Sequence, residues 1–444
     1  MNDKDDELKR WRETLENHEI PEFDLDKAIH LGVNQVRQQN PLKKKKRFKR
    51  PLIAGLAVAV MCLLFVTTIR SSPAFADAIS AFPGMKKIVA LIQDDQGLKS
   101  AIQNKHFQKI GVSDETSGVQ ITLDGVIPSA QNLVLFYTIS YKKNHRSDFL
   151  QNVWIRGANG EDLDLASVWH NPSEDYETAN TSTNAISVDF IKPISKKDVV
   201  VEFDFIGGYG EKETIQLPFT IDSDDVPSYT YAVNQKVIID EQSLVVQQVT
   251  INPVITSVEI EYDPNNTKEI FGIDDLSIKG KWGSKWTPLK NGVTSSTTDD
   301  FPNRVTYYLQ SSYFTNNKKL SLQIGEVMAL DKQEIELVID TASEEIVKQP
   351  KDNRFSNVRV SGGELLIDFE GETDFYDYPV SIDFKDAQKE VHQFEYWSGH
   401  PNGEEKTILM MKLPESPIEN PITLKINGYP SYLEQDSPST IVLK

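Results

Sequence analysis

The sequence predicts a mainly β protein with a short cytosolic helical arm, one transmembrane helix, a small helical neck and tandem immunoglobulin-like β-sandwich units. Three observations predict it. Residues 52–69, LIAGLAVAVMCLLFVTTI, carry no formal charge and directly follow the basic run PLKKKKRFKR. From Val112 onward, apolar residues alternate with polar ones, the period of a half-buried strand. The same alternation returns 123 residues later. Val126 matches Val249, and Ile121, Leu123, Leu135, Tyr137 and Ile139 match Leu244, Val246, Val258, Ile260 and Tyr262.

The chain has 444 residues, enough for about three domains of ordinary size. Its 39% hydrophobic and 25% charged content exclude a wholly disordered chain and a multi-span transporter. A single cysteine, Cys62, excludes a disulfide framework and a thiolate zinc site. The net charge of −19 is unevenly spread: −4 over residues 1–40, +7 over 41–50, +1 at Arg70 and −23 over 71–444. An acidic outer part is repelled by polyanions, which argues against direct nucleic-acid binding.

As a helix, the 18-residue apolar run is about 27 Å long, close to the thickness of a hydrocarbon core. Its basic flank orients the N-terminus toward the cytosol by the positive-inside rule, with the rest of the chain outside the cell membrane. Two readings rival it: a cleavable leader, because Ala74-Phe75-Ala76 has the small-x-small form of a cleavage site, and a lipoprotein lipidated at Cys62, which its mid-span place after Met61 opposes. The long, patterned region before the run favours a retained single-pass anchor.

In the arm, residues 1–40, Leu8, Trp11 and Leu15 share one helical face. Pro21 interrupts that helix. A second amphipathic stretch follows, in which Leu25, Ile29, Val33 and Val36 share a face and Phe23 precedes them. Forty residues cannot bury a core of their own, so the arm is expected to order on a protein partner. The alternatives are a membrane-surface location, which its acidity opposes, and plain disorder.

Residues 41–50 are the basic juxtamembrane segment, 51–70 the span and 71–110 the neck. Within the neck, helices are predicted around Phe75–Phe82, Met85–Ile92 and Leu98–Phe107. The first β-sandwich is expected over 111–222, the second over 223–349 and a third β-unit over 350–444, in series. The linkers are IDSDDVPS and KQPKDN.

No constellation for catalysis stands out, so an enzyme is not expected, and no cofactor or metal is implied. None of the seven histidines pairs at helical metal-ligand spacing. The acidic stretches 159–164 and 222–225 lack the ligand pattern of a calcium loop. Trp282, Trp286, Tyr307 and Tyr308, with Tyr313 and Phe314 nearby, suggest either a ligand platform or the core of the second unit.

The segment SSPAFADAISAFPGMKKIVALI, the following Asp95-Gln96-Gly97-Leu98, and PEFDLDKAIHLG ahead of the basic run carry a resemblance. Together they resemble membrane-anchored, anti-sigma-factor-like proteins of Gram-positive bacteria whose β-rich ectodomains are domains of unknown function. The resemblance implies a regulator whose arm sequesters a sigma factor while the ectodomain senses an unknown envelope ligand or protein. The His and paired-Cys signature of the zinc-binding subtype is absent from this sequence. A cell-surface adhesion or cell-wall-binding protein is the alternative.

Overall fold

The computed structural model describes residues 85–141, 149–171, 180–194, 197–206, 212–222, 227–289, 294–298, 301–315, 319–371, 379–401 and 406–443. The arm residues Leu8, Trp11, Leu15, Phe23, Leu25, Ile29, Val33 and Val36, the apolar segment 51–70 and the helix expected at Phe75–Phe82 lie outside them. Among the described residues, no helix is long and apolar enough to cross a membrane.

The described chain is overwhelmingly antiparallel β. The first unit contains β1 (Gln108–Thr116), β2 (Val119–Pro128), β3 (Asn132–Tyr141), β4 (Phe149–Gly157), β5 (Leu165–Asn171), β6 (Thr181–Phe190), β7 (Lys197–Ile206) and β8 (Lys212–Ile221). They form a sheet of order β1-β2-β3-β6-β5 and a sheet of order β4-β7-β8. Alternate residues of both sheets, among them Ile121, Leu135, Tyr137, Val201, Phe203 and Leu217, close one apolar core.

The second unit repeats this plan. It contains β9 (Tyr229–Ile239), β10 (Gln242–Ile251), β11 (Ile255–Tyr262), β12 (Lys268–Ile273), β13 (Leu276–Lys279), β14 (Lys285–Trp286), β15 (Ser295–Thr298), β16 (Phe301–Gln310), β17 (Ser321–Ile324) and β18 (Val327–Asp331). Its large sheet runs β15-β16-β11-β10-β9, the mirror listing of β1-β2-β3-β6-β5.

The likeness of the two units extends to irregularities. The β2–β3 register slips between Leu123 and Gly125, and the β10–β11 register slips between Val246 and Gln248, again 123 residues on. Residues 110–111 bulge from β1, and 233–234 bulge from β9. Gly111 and Asn234 occupy corresponding bulge positions, at φ +75° and +48°. Glycine and asparagine tolerate this left-handed region best. A slip shared at that level fixes which face of each strand points inward.

The third unit contains β19 (Glu336–Asp340), β20 (Glu345–Lys348), β21 (Phe355–Ser361), β22 (Glu364–Glu370), β23 (Val380–Lys385), β24 (Val391–Gln393), β25 (Trp397–Pro401), β26 (Lys406–Lys412) and β27 (Ile422–Ile426). Its sheets are β20-β19-β27-β23-β24 and β21-β22-β26-β25. Two features depart from the expected serial division at residue 350. Leu337 and Ile339 of β19 bury in the third core, and β19 pairs with β27, so the seam lies between β18 and β19. The last strand, β28 (Ser439–Val442), returns to the second unit and pairs with β17. The third unit is therefore inserted into the second, not appended to it.

Gly111 has open space around the position of a β-carbon, so a substitution there tests backbone conformation alone. Gly111→Ala is expected to destabilise the first unit by about 1 kcal/mol, while Asn234→Gly changes the second by only a few tenths. Urea midpoints of the two variants check both values.

Candidate functional site

Among the described residues, the neck contains α1 (Met85–Leu91) and α2 (Gln96–Gln103). Asp95 caps α2, its Oδ1 accepting from the Leu98 amide at 2.9 Å. Both helices turn apolar faces to the outside of the first large sheet. Ile88, Ile92, Ala101 and Ile102 pack with Ile127, Val134, Phe136 and Ala185, and with Val254 and Ile255 of the second unit. β3 is consequently buried on both faces. Leu135 and Tyr137 point into the sandwich, while Val134 and Phe136 point to the helices. Its run Leu133-Val134-Leu135-Phe136-Tyr137 is the sequence trace of that double burial.

Neck, first unit and second unit meet at two corresponding turns. The Ser129 amide donates to the Asn132 carbonyl at 2.7 Å, and the Asn252 amide to the Ile255 carbonyl at 3.0 Å. Between the turns, Asn252 Nδ2 donates to Asn132 Oδ1 at 2.7 Å. Asn132 Nδ2 donates to Asp189 Oδ1 at 2.5 Å, and Ser167 Oγ to Asp189 Oδ2 at 2.5 Å. On the other side, Ser311 Oγ donates to the Asn252 carbonyl. Gln310 Nε2 donates to the Asp94 carbonyl at 2.9 Å, and Gln310 Oε1 accepts from the Gln96 amide at 3.2 Å. A polar path thus runs from β5 through both turns to the start of α2. Gly97 makes the close approach possible, since a β-carbon there would lie 2.5 Å from the Ser311 amide nitrogen. The expected linker at 221–228 is therefore accompanied by a packed, hydrogen-bonded joint.

The structure does not assemble the expected ligand platform. Trp286 is 1% exposed and sits in the second core opposite Ile278. Tyr307 and Tyr308 are consecutive in β16 and so face opposite sides. Tyr307 is buried with its hydroxyl against that of Tyr262, and burial pushes its pKa up to about 12. Tyr308 packs beside the neck and bonds Ser296 at 3.0 Å. Trp282 lies in a short 3-10 turn, and its side chain is outside the described set. A different row of rings forms instead. Tyr229 stacks on Tyr313 at 5.1 Å, Tyr313 meets Phe314 edge-on at 5.0 Å, and Phe314 meets His106 at 5.3 Å.

Among the described residues, Asp386, Glu390 and His392 are the one group whose side-chain ligand atoms lie close enough together, within 4.8 Å, to hold a metal. Asp386 is already engaged. Its Oδ1 accepts from the Gln388 and Glu390 amides, each at 2.9 Å, and its Oδ2 faces His392 Nε2 at 3.2 Å. Burial opposes the charge on Asp386, but these partners outweigh it and hold the pKa below the usual value. The arrangement locks the β23–β24 turn. Sequence reading passed over it because the three residues converge through a hairpin, not along a helix.

The other described histidines also have local partners. His106 Nε2 lies 2.7 Å from the Pro128 carbonyl, His170 Nε2 2.5 Å from the Tyr137 hydroxyl, and His400 Nε2 3.2 Å from Ser398 Oγ. Burial lowers the His170 pKa to about 4. In the acidic stretch 159–164, Glu161 pairs with Lys197 and Asp164 with Lys192.

Asp95 is a titratable group set at the neck side of the joint. Burial raises its pKa to about 6, against the lowering influence of the Leu98 and Gly97 amides and Lys99. A carboxyl whose folded pKa exceeds its unfolded value is held protonated longer by the folded state. Stability therefore falls as pH rises from about 4 to about 6, and the deficit persists above that window. Asp95→Asn keeps a capping side chain without the charge. Near pH 7.5 it is expected to slow amide exchange in α2, corresponding to roughly 1–3 kcal/mol. Near pH 4 the variant and the parent should exchange alike.

Two family models match the chain. One is a domain of unknown function, DUF4179, over residues 43–141; the other is a family of unknown function, DUF5643, over residues 228–347. The first match runs from the basic segment through the neck to the end of β3, and the second covers β9 to β19 and continues into β20. No curated protein matches. Among solved structures, the chain is similar to a conserved domain protein from Bacillus anthracis at 14% identity, covering 56% of this chain and 87% of that one, with a TM-score of 0.37. It is also similar to an uncharacterized protein from Listeria monocytogenes EGD-e at 10% identity, covering 67% of this chain and 29% of that one, with a TM-score of 0.15.

Proposed function

We propose that the chain is a single-pass membrane regulator of the anti-sigma-factor-like kind. Its arm sequesters an extracytoplasmic-function sigma factor, and its ectodomain senses an envelope signal. The observation that carries the reading is the segregation of the sequence. An amphipathic acidic arm, a +7 basic run and 18 uncharged apolar residues precede a large acidic β-rich part. A domain model that begins at residue 43 and continues to residue 141 supports treating the basic segment, the apolar run, the neck and the first strands as one inherited piece. The order β2-β3-β6-β5 facing β4-β7-β8 supports an immunoglobulin-like reading of the first two units, each with an added strand at one edge of its larger sheet.

Sequestration follows from the chemistry of the arm. Leu8, Trp11 and Leu15, then Leu25, Ile29, Val33 and Val36, offer two apolar stripes too small to bury against each other in an independent core. Docked in grooves of a sigma factor, they cover the surfaces through which it engages polymerase. Trp11 is the expected hot spot, because buried aromatic anchors dominate interface energies.

The full chain in detergent should capture one sigma factor from a lysate of a Gram-positive bacterium. The Trp11→Ala, Ile29→Ala double variant should weaken that capture by about 10³-fold, two hot-spot losses of about 2 kcal/mol each. Absence of any sigma factor, or equal capture by both forms, overturns the reading in favour of a surface-binding role for the ectodomain.

A further inference from the structure

The two repeats differ in how they complete the smaller sheet. In the first unit, β7 pairs along its length with β8, which follows it closely in the chain, over ten residues from Lys197↔Ile221 to Ile206↔Lys212. In the second unit the strand matching β7 is β17: Ile155 opposes Val201 in one, and Ile278 opposes Leu322 in the other. The slot that β8 fills is taken there by β28, which arrives only after the whole third unit. Its ladder has four pairs, with Leu322 opposite Ile441 as Val201 is opposite Leu217.

The segment leading to β28 is stitched to the second unit. The Ala329 amide donates to the Ser431 carbonyl at 2.8 Å, and the Leu433 amide to the Val327 carbonyl at 2.9 Å. The Tyr432 hydroxyl donates to Asp274 Oδ2 at 2.8 Å. Leu433 and Ile441 then enter the second core, while Val442 is 78% exposed on the strand's outer face. β28 is an edge strand, paired on one side only. No tight turn ties it to β17, so its closure depends on a long loop occupied by the third unit.

We propose that residues 431–443 form an exchangeable strap, and that the edge of β17 is a strand-acceptor slot of the second unit. The slot takes an extended segment with an apolar residue opposite Leu322. In the resting molecule that segment is the chain's own β28. Both connections of the third unit to the rest of the described chain, through β18–β19 and through the strap, engage the second unit. Displacement of the third unit therefore pulls directly on the strand that completes the second core. This goes beyond the regulator reading and does not rest on it.

The test uses the full chain in detergent, with Cys62→Ser to remove the native thiol and Gln323→Cys with Thr440→Cys to join a facing pair of β17 and β28. A fluorescent peptide of residues 431–444 is the probe. The reduced chain should take up the peptide, and the oxidised chain at least tenfold less. The same peptide with Ile441→Asp should not enter either form. In parallel, oxidation should slow exchange of the β17 amides facing β28 at least tenfold, while β7 amides are unchanged. Failure of the reduced chain to take up peptide, equal uptake by both forms, or β17 exchange indifferent to oxidation overturns the proposal.

Discussion

The contact between Asn252 and Asn132 is the point on which the described architecture turns. It lies where two corresponding hairpin turns meet, inside an apolar surround that includes Val254, Ile255 and the neck helices. An amide side chain buried there must be fully paired, because an unpaired one costs a few kcal/mol. Asn252 meets that requirement in both directions. Its Oδ1 accepts from the Val254 and Ile255 amides, each at 2.9 Å, and its Nδ2 reaches across to Asn132. Satisfying one side chain thus shapes a turn and joins two units at once. Asp189, Ser167 and Ser311 extend the same pairing outward, so the joint has direction as well as area.

Around that joint, apolar burial works in layers. The first large sheet is covered on one face by its partner sheet and on the other by α1 and α2. The third unit reaches the second through a shared strand system, with Leu433 and Ile441 contributed to a core that is otherwise built from residues before β19. Neck, first unit and second unit therefore meet through buried contacts, and the third is joined to the second both by the returning strand and by Leu330 and Phe271, which pack in the third core.

Much of this was legible in the residues. Two of the neck helices were marked by Met85, Ile88 and Ile92 and by Leu98, Ala101 and Ile102. The repeat was visible in paired positions such as Leu123 with Val246, and the shared register slip occurs at that position in both units. The platform was not legible. Tyr307 and Tyr308 are neighbours in sequence but lie on opposite faces of one strand, and aromatic composition alone does not say which face is buried. Nor was the Asp386 turn lock, whose residues gain their relation from a hairpin.

Periodicity, charge and spacing by themselves determined the β class, the duplicated unit and the sharp separation of a basic, apolar front from an acidic remainder. These are local properties: a strand's alternation and a flank's charge are written within a few consecutive residues. Only the tertiary structure decided that the third unit is nested within the second, that β28 fills the slot β8 fills in the first, and that two turns meet through an asparagine pair. Each of these is a pairing between residues about a hundred positions or more apart. Such partners are chosen by which buried edges and amides remain unsatisfied once the local elements have formed.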